Sequence, residues 1–349
     1  MGSFNRAENS NGGDKGKSER GGGVILSIES SCDDSAVAVT EIATKKLLFH
    51  RKISQESIHS NYGGVVPELA SRLHAVYLPQ LIEKCRPFFN QIEGIAVTNT
   101  PGLAVTLQEG VIVAQALGES LKVPLIPVNH LVGHIYSLFI EKEEEKPLLI
   151  LLVSGGHTKL LWFEGVEKVC EISTTLDDSL GEAFDKVAKM LGLGYPGGPV
   201  IEKLAEKGSI DIGLPIPLKG KETLNFSFSG LKNAVRLAIQ SGKYRPEDIA
   251  YSFQRSAIAH IVEKLEKAIL IHSPPAVGVV GGASANLHLR KELKKLAEIY
   301  QFKLLSPPLE WCSDNGAMIG RAGIELFQRG KIVEPDSIRV APRTSFPSC

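Results

Sequence analysis

Two segments of the chain repeat one pattern, and this repetition constrains the fold more than any other feature. In each segment an apolar run enters a short turn of small and polar residues, and a second strand-like run comes next. The first segment spans residues 24–39 and the second spans residues 148–163. Each predicts a β-hairpin whose turn exposes backbone N–H groups, an arrangement suited to phosphate or another anion. Two ordinary hairpins are the alternative, because Ser, Gly and Asp are common turn residues.

A third segment adds a strand that enters a helix through a glycine turn. Residues 277–280 are apolar, Gly281 and Gly282 come next, and residues 287–299 have a helical pattern. Glycines at such a turn let the backbone approach a flat ligand closely. With the two hairpins, this predicts an α/β fold built from two similar halves, with a nucleotide in the cleft between them.

The division of the chain is indicated by the places where its composition changes. The acidic run at residues 141–146, ending before Pro147, predicts an exposed link between the halves. We therefore expect one subdomain over residues 24–146 and a second, with a helical insertion, over residues 147–349. Residues 1–23 are rich in Gly and poor in apolar residues, which is typical of a disordered tail or an expression remnant.

Charge and hydropathy exclude two classes of protein. The chain of 349 residues has 39 Lys and Arg against 39 Asp and Glu, so it is not a strongly basic nucleic-acid binder. Its longest apolar stretch, residues 148–153, is far shorter than the roughly 18–20 residues that span a bilayer. We expect a soluble protein without membrane attachment.

The cysteines predict a reducing compartment. They are odd in number and form no C-x-x-C pair, so the sequence suggests neither a disulfide framework nor a thiolate zinc site. The five positions are Cys32, Cys85, Cys170, Cys312 and Cys349.

Two histidines are spaced to share one metal ion. Asn129 is a typical helix N-cap, and His130 and His134 then lie four residues apart on one face of the helix, about 6 Å apart along its axis. No glutamate comes directly after His130, so the pair is not the H-E-x-x-H motif of zinc peptidases. Asp314 is a candidate third ligand, and a set of two histidines and one carboxylate leaves open positions for a substrate. The alternatives are two unrelated histidines and a helix-capping aspartate.

Nine short motifs occur in order along the chain, at residues 29–34, 62–72, 129–134, 153–158, 181–186, 195–199, 226–232, 281–290 and 312–318. Together they resemble the tRNA threonylcarbamoyltransferases, named TsaD in bacteria and formerly O-sialoglycoprotein endopeptidases or glycoproteases. The resemblance extends over roughly residues 24–325, and the form of its first motif is that of the bacterial and mitochondrial branch.

This resemblance implies a fold and a reaction. The fold is the duplicated actin-like, sugar-kinase-like ATPase (ASKHA) architecture, an α/β fold with two RNase H-like subdomains and the active site in the cleft. The reaction transfers a threonylcarbamoyl group from threonylcarbamoyl-AMP to N6 of the adenosine 3′ of the anticodon, in tRNAs that read codons beginning with A, and releases AMP. A metallopeptidase and a non-catalytic nucleotide-binding scaffold are the alternative functions.

The resemblance also implies ligands for particular residues. His130, His134 and Asp314 would hold one divalent metal per subunit, iron or zinc. An adenine nucleotide, threonylcarbamoyl-AMP or also ATP, would contact the remaining residues. These are Val153, Ser154, Gly155, Gly156, His157, Asp185, Gly198 and Asn286. Taken singly, Asp185 is also typical of a solvated helix face, Gly198 of a turn and Asn286 of a helix N-cap.

The chemistry asks for a base as well. Adenine N6 is a weak nucleophile, so a base should take its proton at or after attack. Asp33, in the first predicted turn, is our hypothesis for that base, and an aspartate that merely caps its turn is the alternative.

The resemblance implies partners and a compartment. A bacterial enzyme would lie in the cytoplasm, act on tRNA with a TsaB paralogue and a TsaE ATPase, and receive its substrate from a TsaC-type synthase. A mitochondrial enzyme would lie in the matrix and act as a homodimer. The basic run Arg290, Lys291, Lys294 and Lys295 is a candidate tRNA contact, with a solvated helix face as the alternative.

Overall fold

The computed structural model describes residues 22–349, so the interpretation of residues 1–23 lies almost wholly outside the described part. The strands are β1 (Val24–Glu29), β2 (Asp34–Glu41), β3 (Leu47–Ser54), β4 (Ile92–Thr100), β5 (Leu125–Asn129), β6 (Leu148–Val153), β7 (Thr158–Phe163), β8 (Val169–Thr174), β9 (Ala276–Val280) and β10 (Lys303–Leu305). The helices are α1 (Glu56–His59), α2 (Pro67–Glu83), α3 (Ala104–Leu121), α4 (His130–Tyr136), α5 (Leu180–Met190), α6 (Gly197–Ala205), α7 (Ser229–Gln240), α8 (Pro246–His272), α9 (Leu287–Tyr300) and α10 (Gly316–Gln328).

The two halves of the chain form sheets of the same topology. The first sheet has the order β3-β2-β1-β4-β5, and the second has the matching order β8-β7-β6-β9-β10. In each sheet the first three strands of the half pair antiparallel and the last two add in parallel. Both predicted hairpins are present, and the predicted duplicated α/β fold is confirmed.

The central strand of each sheet is buried on both faces. In β6, Leu149 and Leu151 pack into the core on the outer face of the second sheet, where α5 to α9 lie. Ile150 and Leu152 instead pack into a core shared with the first sheet and with α4 and α10. Since successive side chains of a strand point to opposite faces, a strand between two cores has to be apolar throughout. This explains the unbroken apolar run of β6.

The halves differ in the helices that come after the third strand. In the first half α1 and α2 lead to β4, whereas in the second half α5 to α8 lead to β9, within the region for which a helical insertion is predicted. The helix α8 is 27 residues long and packs against α6 and α7. Within residues 22–349, no helix is both long enough and apolar enough to cross a membrane.

The motif at residues 226–232, where α7 begins, has a structural role. The carboxylate of Asp177 accepts hydrogen bonds from the backbone N–H groups of Phe228 (2.7 Å) and Ser229 (3.2 Å), so it caps α7 from another loop. The ring of His260 on α8 lies edge-on between Phe226 and Phe228. The motif therefore anchors the helical insertion.

The last helix returns to the first sheet. α10 packs against β1, β2 and α4, so residues far along the chain lie beside the first half. Small residues permit this approach, since a Cβ on Gly316 would lie 2.5 Å from the backbone carbon of Val37, and one on Gly323 would lie 2.6 Å from Cβ of Ala96. The boundary between residues 146 and 147 stays a prediction.

The cysteine expectation is wrong for one pair. Cys170 on β8 and Cys349 form a disulfide, with their Cα atoms 5.1 Å apart. The backbone of Glu171 accepts from the N–H of Cys349 and donates to Pro347, so the end of the chain runs beside β8. This long-range pairing leaves no trace in cysteine spacing. Cys32, Cys85 and Cys312 are free thiols.

Candidate metal centre and active-site cleft

The turns of the two matching hairpins open into one cleft of about 690 Å³. Of the predicted site residues, ten line either this cleft or a smaller cavity beside it, and the metal ligand His134 and the strand residue Val153 lie behind its walls. The cleft is lined by Ser31, Cys32, Asp33, Asp34, Gly63, Gly64, Val65, Pro101, Gly102, Leu103, His130, Ser154, Gly155, Gly156, His157, Glu182, Asp185, Lys186, Lys189, Tyr195, Gly282, Ser313 and Asp314.

The short helix α4 carries both candidate histidine ligands. Its N-terminus is capped as expected, because Oδ1 of Asn129 accepts from the N–H groups of Leu131 (2.8 Å) and Val132 (3.3 Å). His130 and His134 are buried, and their ring centroids are 4.6 Å apart. The helix therefore holds the two imidazoles side by side.

Asp314 reaches the same point from the segment before α10. Its Oδ1 lies 3.6 Å from Nε2 of His130 and 3.2 Å from Nε2 of His134. One ligand atom from each of the three residues lies within 4.8 Å of the other two. The structure thus brings together the three residues that the sequence suggested as ligands.

The surroundings of His134 test whether this group fits a metal. Both ring nitrogens are buried and lack a hydrogen bond of good geometry among the described residues, although Nε2 is close to Asp314. A buried polar atom without a partner is costly, whereas a metal ion would accept the lone pair of Nε2. Two imidazoles and one carboxylate are a donor set that suits iron or zinc. The residues fit a divalent metal.

Charge in this group favours an ionised carboxylate. Burial would raise the pKa of Asp314, but the neighbouring imidazoles of His130 and His134 outweigh it and hold that pKa well below its usual range. Burial would likewise lower the pKa of His130, but the charges of Glu29 and Asp314 raise it to about 9. Asp314 is therefore in the form that binds a cation.

The turn between β6 and β7 is open toward the cleft. Gly155 and Gly156 are exposed, and a Cβ added to either would meet nothing within 4 Å. The turn itself is fixed, since the N–H of Ser154 donates to the carbonyl of His157 (2.8 Å) and the N–H of His157 donates to Oγ of Ser154 (3.1 Å). Burial lowers the pKa of His157 to about 4, so its ring is neutral at pH 7. Val153 is buried in the core and offers only backbone.

Helix α5 supports this turn from behind. Oγ of Ser179, the first residue of a capping box, donates to the carbonyl of Gly155 (2.7 Å). Gly181 lies against the turn so closely that a Cβ there would be 2.6 Å from the carbonyl oxygen of Ser154. The helix thereby orients the turn, and its residue Asp185 faces the cleft.

Asp185 is more constrained than a solvated helix residue. One carboxylate oxygen accepts the N–H of Gly197 (2.6 Å), and burial raises the pKa of the group. Gly197 is at the start of α6, where a Cβ would be 2.5 Å from Cα of Asp185. The second carboxylate oxygen is left for another partner in the cleft.

Gly198 and Asn286 line a smaller cavity of about 90 Å³, which we call the inner cavity. Gly282 lines both spaces, so the inner cavity adjoins the cleft. Asn286 also caps α9 through the N–H of Leu289 (2.9 Å). The inner cavity is lined by Leu180, Gly181, Phe184, Gly198, Pro199, Glu202, Ile258, Gly282, Ala283, Ala285, Asn286 and Leu289.

The first turn brings two aspartates to the cleft. Asp33 lines it, as does Asp34, whose Oδ2 accepts from Nζ of Lys52 (2.9 Å). Burial is the main cause that raises the pKa of Asp34 to about 6. Sequence reasoning singled out Asp33 and missed Asp34, although the two are adjacent in the same motif. Lys186, Lys189 and Tyr195 also line the cleft and were not predicted. Lys186 and Tyr195 lie within recognised motifs and Lys189 lies one helix turn after Lys186, but nothing else in the sequence distinguishes them.

Arg290, one of the four residues of the basic run, makes contacts within the protein, and a tRNA contact by this run stays a prediction. Its guanidinium donates to the carbonyls of Ser284 (2.8 Å) and Pro307 (2.9 Å) and lies 3.0 Å from Sγ of Cys312. The side chain therefore ties the turn after β9 to the segment that carries Asp314. Helical position alone does not distinguish such an internal contact from a solvated face.

Comparisons with known proteins agree on one family. The family model described as "TsaD: tRNA N6-adenosine threonylcarbamoyltransferase" matches residues 46–321. A protein of Nautilia profundicola is 62% identical over 326 residues, which are 93% of this chain and 100% of that protein. Proteins of Nitratiruptor sp. (56% over 328 residues, 93% and 100%) and Helicobacter pylori strain 26695 (50% over 338 residues, 93% and 99%) are similar. All three are named tRNA N6-adenosine threonylcarbamoyltransferase.

Solved structures with low identity share the fold. HypF of T. kodakarensis superposes with a TM-score of 0.63 at 16% identity, covering 90% of this chain and 49% of HypF, so the chain spans about half of that protein. Component A of the (R)-2-hydroxyglutaryl-CoA dehydratase of Acidaminococcus fermentans gives 0.51 at 13% identity, covering 87% and 96%. These neighbours confirm the predicted actin-like ATPase architecture.

Proposed function

The chain belongs to the TsaD family of tRNA N6-adenosine threonylcarbamoyltransferases, and on this premise we propose how its cleft performs the family's reaction. It transfers the threonylcarbamoyl group from threonylcarbamoyl-AMP to N6 of the adenosine 3′ of the anticodon in tRNAs reading ANN codons, and AMP leaves. The single observation that supports the site best is that His130 and Asp314 open into the same cleft as the β6–β7 turn.

His130, His134 and Asp314 would hold one iron or zinc ion. Bound there, the metal would supply a Lewis acid that polarises an oxygen of the threonylcarbamoyl group. The ligands are held near one another because α4 carries both histidines and α10, which begins two residues after Asp314, packs directly against α4. Their atoms therefore converge without a large loop movement.

The open turn at residues 154–157 would bind the phosphate of the nucleotide. AMP is already a good leaving group, so its departure needs donors that hold the phosphate more than it needs a strong acid. The exposed backbone at Gly155 and Gly156 offers such donors without a side chain in the way. The neutral ring of His157 adds a donor that does not repel the adjacent metal ligands.

The adenosine part of the nucleotide would extend toward the inner cavity. Gly198 and Asn286 line that cavity, and Gly282 joins it to the cleft. The carboxylate oxygen of Asp185 that Gly197 does not use would accept from a ribose or threonyl hydroxyl. Binding energy from these remote contacts would position the carbonyl for attack.

Asp33 would take the proton from adenine N6. It stands at the end of the β1–β2 turn and lines the same cleft as residues 154–157. Asp34→Asn is the matched control variant. Oδ1 of Asp34 is buried and its Oδ2 accepts a hydrogen bond from Lys52, so neither oxygen is free to take the proton. Asp33→Asn should lower the rate of transfer at saturating substrate while zinc and nucleotide still bind. An Asp33→Asn variant as fast as the wild type would remove this role.

A metallopeptidase is not favoured, because the relatives that match nearly the whole chain carry the transferase name. No glutamate comes directly after His130, so α4 lacks the H-E-x-x-H motif in which that glutamate is the general base. A scaffold without transfer activity would have no need for the converging ligands.

The substrate tRNA would approach over Lys186 and Lys189, the cations at the rim of the cleft. The relatives are bacterial, which supports a cytoplasmic enzyme acting with a TsaB paralogue, a TsaE ATPase and a TsaC-type synthase. A homodimer in the mitochondrial matrix is the alternative arrangement.

Nucleoside mass spectrometry tests the proposal. Unmodified tRNA is incubated with the protein and threonylcarbamoyl-AMP, with and without the partner proteins, beside a His130→Ala/His134→Ala control. We expect threonylcarbamoyladenosine from the wild-type protein and none from the double variant. Product from the control at the wild-type rate would remove the metal site, and no product under any combination would leave the scaffold as the function.

A further inference from the structure

A buried carboxylate lies directly behind one of the candidate metal ligands. Glu29, the last residue of β1, is fully buried. Its Oε1 accepts the backbone N–H of Ser31 at 2.6 Å. Its Oε2 accepts from Oγ1 of Thr98 at 2.6 Å and lies 3.1 Å from Nδ1 of His130. The proposed reaction gives this group no role.

We propose that Glu29 is a positioning residue that fixes His130 with its hydrogen on Nδ1 and its Nε2 lone pair directed at the metal. This inference rests on the proposed metal site. The geometry supports it because the two ring nitrogens face opposite sides: Nδ1 lies 3.1 Å from Oε2 of Glu29 and also 3.1 Å from Oγ of Ser31, a hydroxyl that can accept as well as donate, whereas Nε2 faces Oδ1 of Asp314 at 3.6 Å. An ionised carboxylate only accepts hydrogen bonds, so the hydrogen between them belongs to the imidazole.

Neighbouring strands hold Glu29 in place. β1 and β4 pair in parallel, with Ile28 beside Val97, and this register sets Glu29 next to Thr98. The hydroxyl of Thr98 and the amide of Ser31 together fix both carboxylate oxygens. The position of the ring therefore depends on the sheet as well as on its own short helix.

His134 provides an internal contrast. Its Nδ1 is buried and has no hydrogen-bond partner among the described residues, so no carboxylate orients that ring. Of the two imidazoles, only His130 has the combination of an outer carboxylate and an inner metal-facing nitrogen. We expect the affinity for metal to depend on Glu29 through His130 alone.

The substitution Glu29→Gln reverses this hydrogen bond while keeping the shape of the side chain. The backbone N–H of Ser31 can only donate, so the amide oxygen of Gln has to occupy the position of Oε1. The amide NH₂ then occupies the position of Oε2 and donates to Nδ1 of His130. The hydrogen of the neutral ring moves to Nε2, where it blocks the metal.

The experiment measures zinc affinity by competition with a chromogenic chelator, on the full-length protein purified without metal. We expect Glu29→Gln to bind zinc about 10–100-fold more weakly than the wild type. The control is Glu325→Gln, which removes another buried carboxylate, one paired with Arg321 and Arg329 away from the ligands. It should destabilise the protein without changing zinc affinity. A folded Glu29→Gln variant with wild-type affinity would overturn the inference.

A second measurement does not depend on the variant folding. Nitrogen-15 NMR of the zinc-loaded wild type should show His130 bound through Nε2 with a proton on Nδ1. Coordination through Nδ1, or a Nδ1 without its proton, would overturn the inference and leave the metal site intact. A wild type that binds no zinc in the competition assay would overturn the metal site and this inference together, whatever its transfer activity.

Discussion

The two halves share one sheet topology, but their hairpin turns are built in opposite ways. The β1–β2 turn is packed at its start, where Ser30 and Ser31 are buried and a Cβ on Gly102 would lie 2.6 Å from the carbonyl oxygen of Ser31, while Asp33 and Asp34 at its end line the cleft. The β6–β7 turn is open, with Gly155 and Gly156 exposed to the cleft. One scaffold thus supplies carboxylate side chains from the turn of one half and free backbone from the turn of the other.

The difference arises from the helices that approach each turn. In the first half, α3 begins against the turn, where the hydroxyl of Ser30 donates to the carbonyl of Thr106 (3.0 Å) and Leu103 N–H donates to Ser31 (2.9 Å). In the second half, α5 meets the turn only from behind, through Ser179 and Gly181. A turn held at its start by a helix keeps the carboxylates at its end in place, whereas an open turn leaves room for a ligand.

The largest expected effect is the loss of zinc affinity on removal of a metal ligand, and it tests whether the metal site and the β6–β7 turn act independently. His134→Ala removes one of three ligands, so zinc affinity should fall by more than the roughly 100-fold that the loss of an outer partner costs. Gly156→Ala adds a methyl group where the nucleotide would lie, which should raise the KM for threonylcarbamoyl-AMP and leave zinc affinity unchanged. Chelator competition and transfer kinetics measure both. If Gly156→Ala also lost zinc, the metal site and the β6–β7 turn would not be independent.

A disulfide occurs in the second half alone. Cys349→Ser opens a loop of 179 residues between Cys170 and Cys349, and the chain-entropy relation gives up to about 5 kcal/mol lower free energy of unfolding. Urea denaturation measures this change, and wild-type protein in dithiothreitol should match the variant. Cys85→Ser, a buried free thiol in the first half, is the control and should cost no more than about 1–2 kcal/mol. Identical midpoints with and without reductant would contradict the expectation.

The pairing of Cys170 with Cys349 belongs to the part of the fold that the sequence does not predict. The hairpins and the glycine turn at Gly281 were predictable, because apolar runs and small-residue turns are local patterns. The pairing of Cys349 with Cys170 was not, since it depends on the end of the chain running beside β8. Nor does any local pattern predict that α10 packs on the first sheet.

The candidate site divides in a similar way. The spacing of His130 and His134 predicts one shared face, and the structure has them side by side. Asp314 could be named as a candidate ligand, but its approach to His134 could not be derived from the sequence, because about 180 residues separate the two and the packing of α10 brings them together. Glu29 stood in a recognised motif, yet its contacts with Thr98 and His130 depend on the pairing of β1 with β4.

A pH effect should distinguish the insertion of the second half. Burial lowers the pKa of His260 to about 4, and the nearby charge of Lys264 acts in the same direction. The unfolded chain takes up this proton at about pH 6.5, whereas the folded chain takes it up only at about pH 4. The free energy of unfolding therefore has its full value above pH 6.5 and decreases as the pH falls toward 4. The total decrease in the free energy of unfolding is about 3 kcal/mol.

His260→Gln removes this titration and keeps an acceptor for the N–H of Ser227. Its free energy of unfolding should be below that of the wild type at pH 7, and the gap should narrow by up to about 3 kcal/mol as pH falls to 4. Urea denaturation at a series of pH values measures the gap. A gap that stays constant would show that His260 is not responsible.

The smallest effects come from two helix caps, one in each half, which differ in what depends on them. Ser179→Ala and Asn129→Ala should each lower the free energy of unfolding by about 1 kcal/mol, because each removes acceptors for backbone N–H groups at a helix start. Asn129 caps the seven-residue helix that carries His130 and His134, so its loss should also weaken zinc binding. Ser179 supports the open turn, and its loss should raise the KM for threonylcarbamoyl-AMP at unchanged zinc affinity. Equal zinc affinities in the two variants would mean that the packing of α10, rather than the cap, orients the ligands of α4.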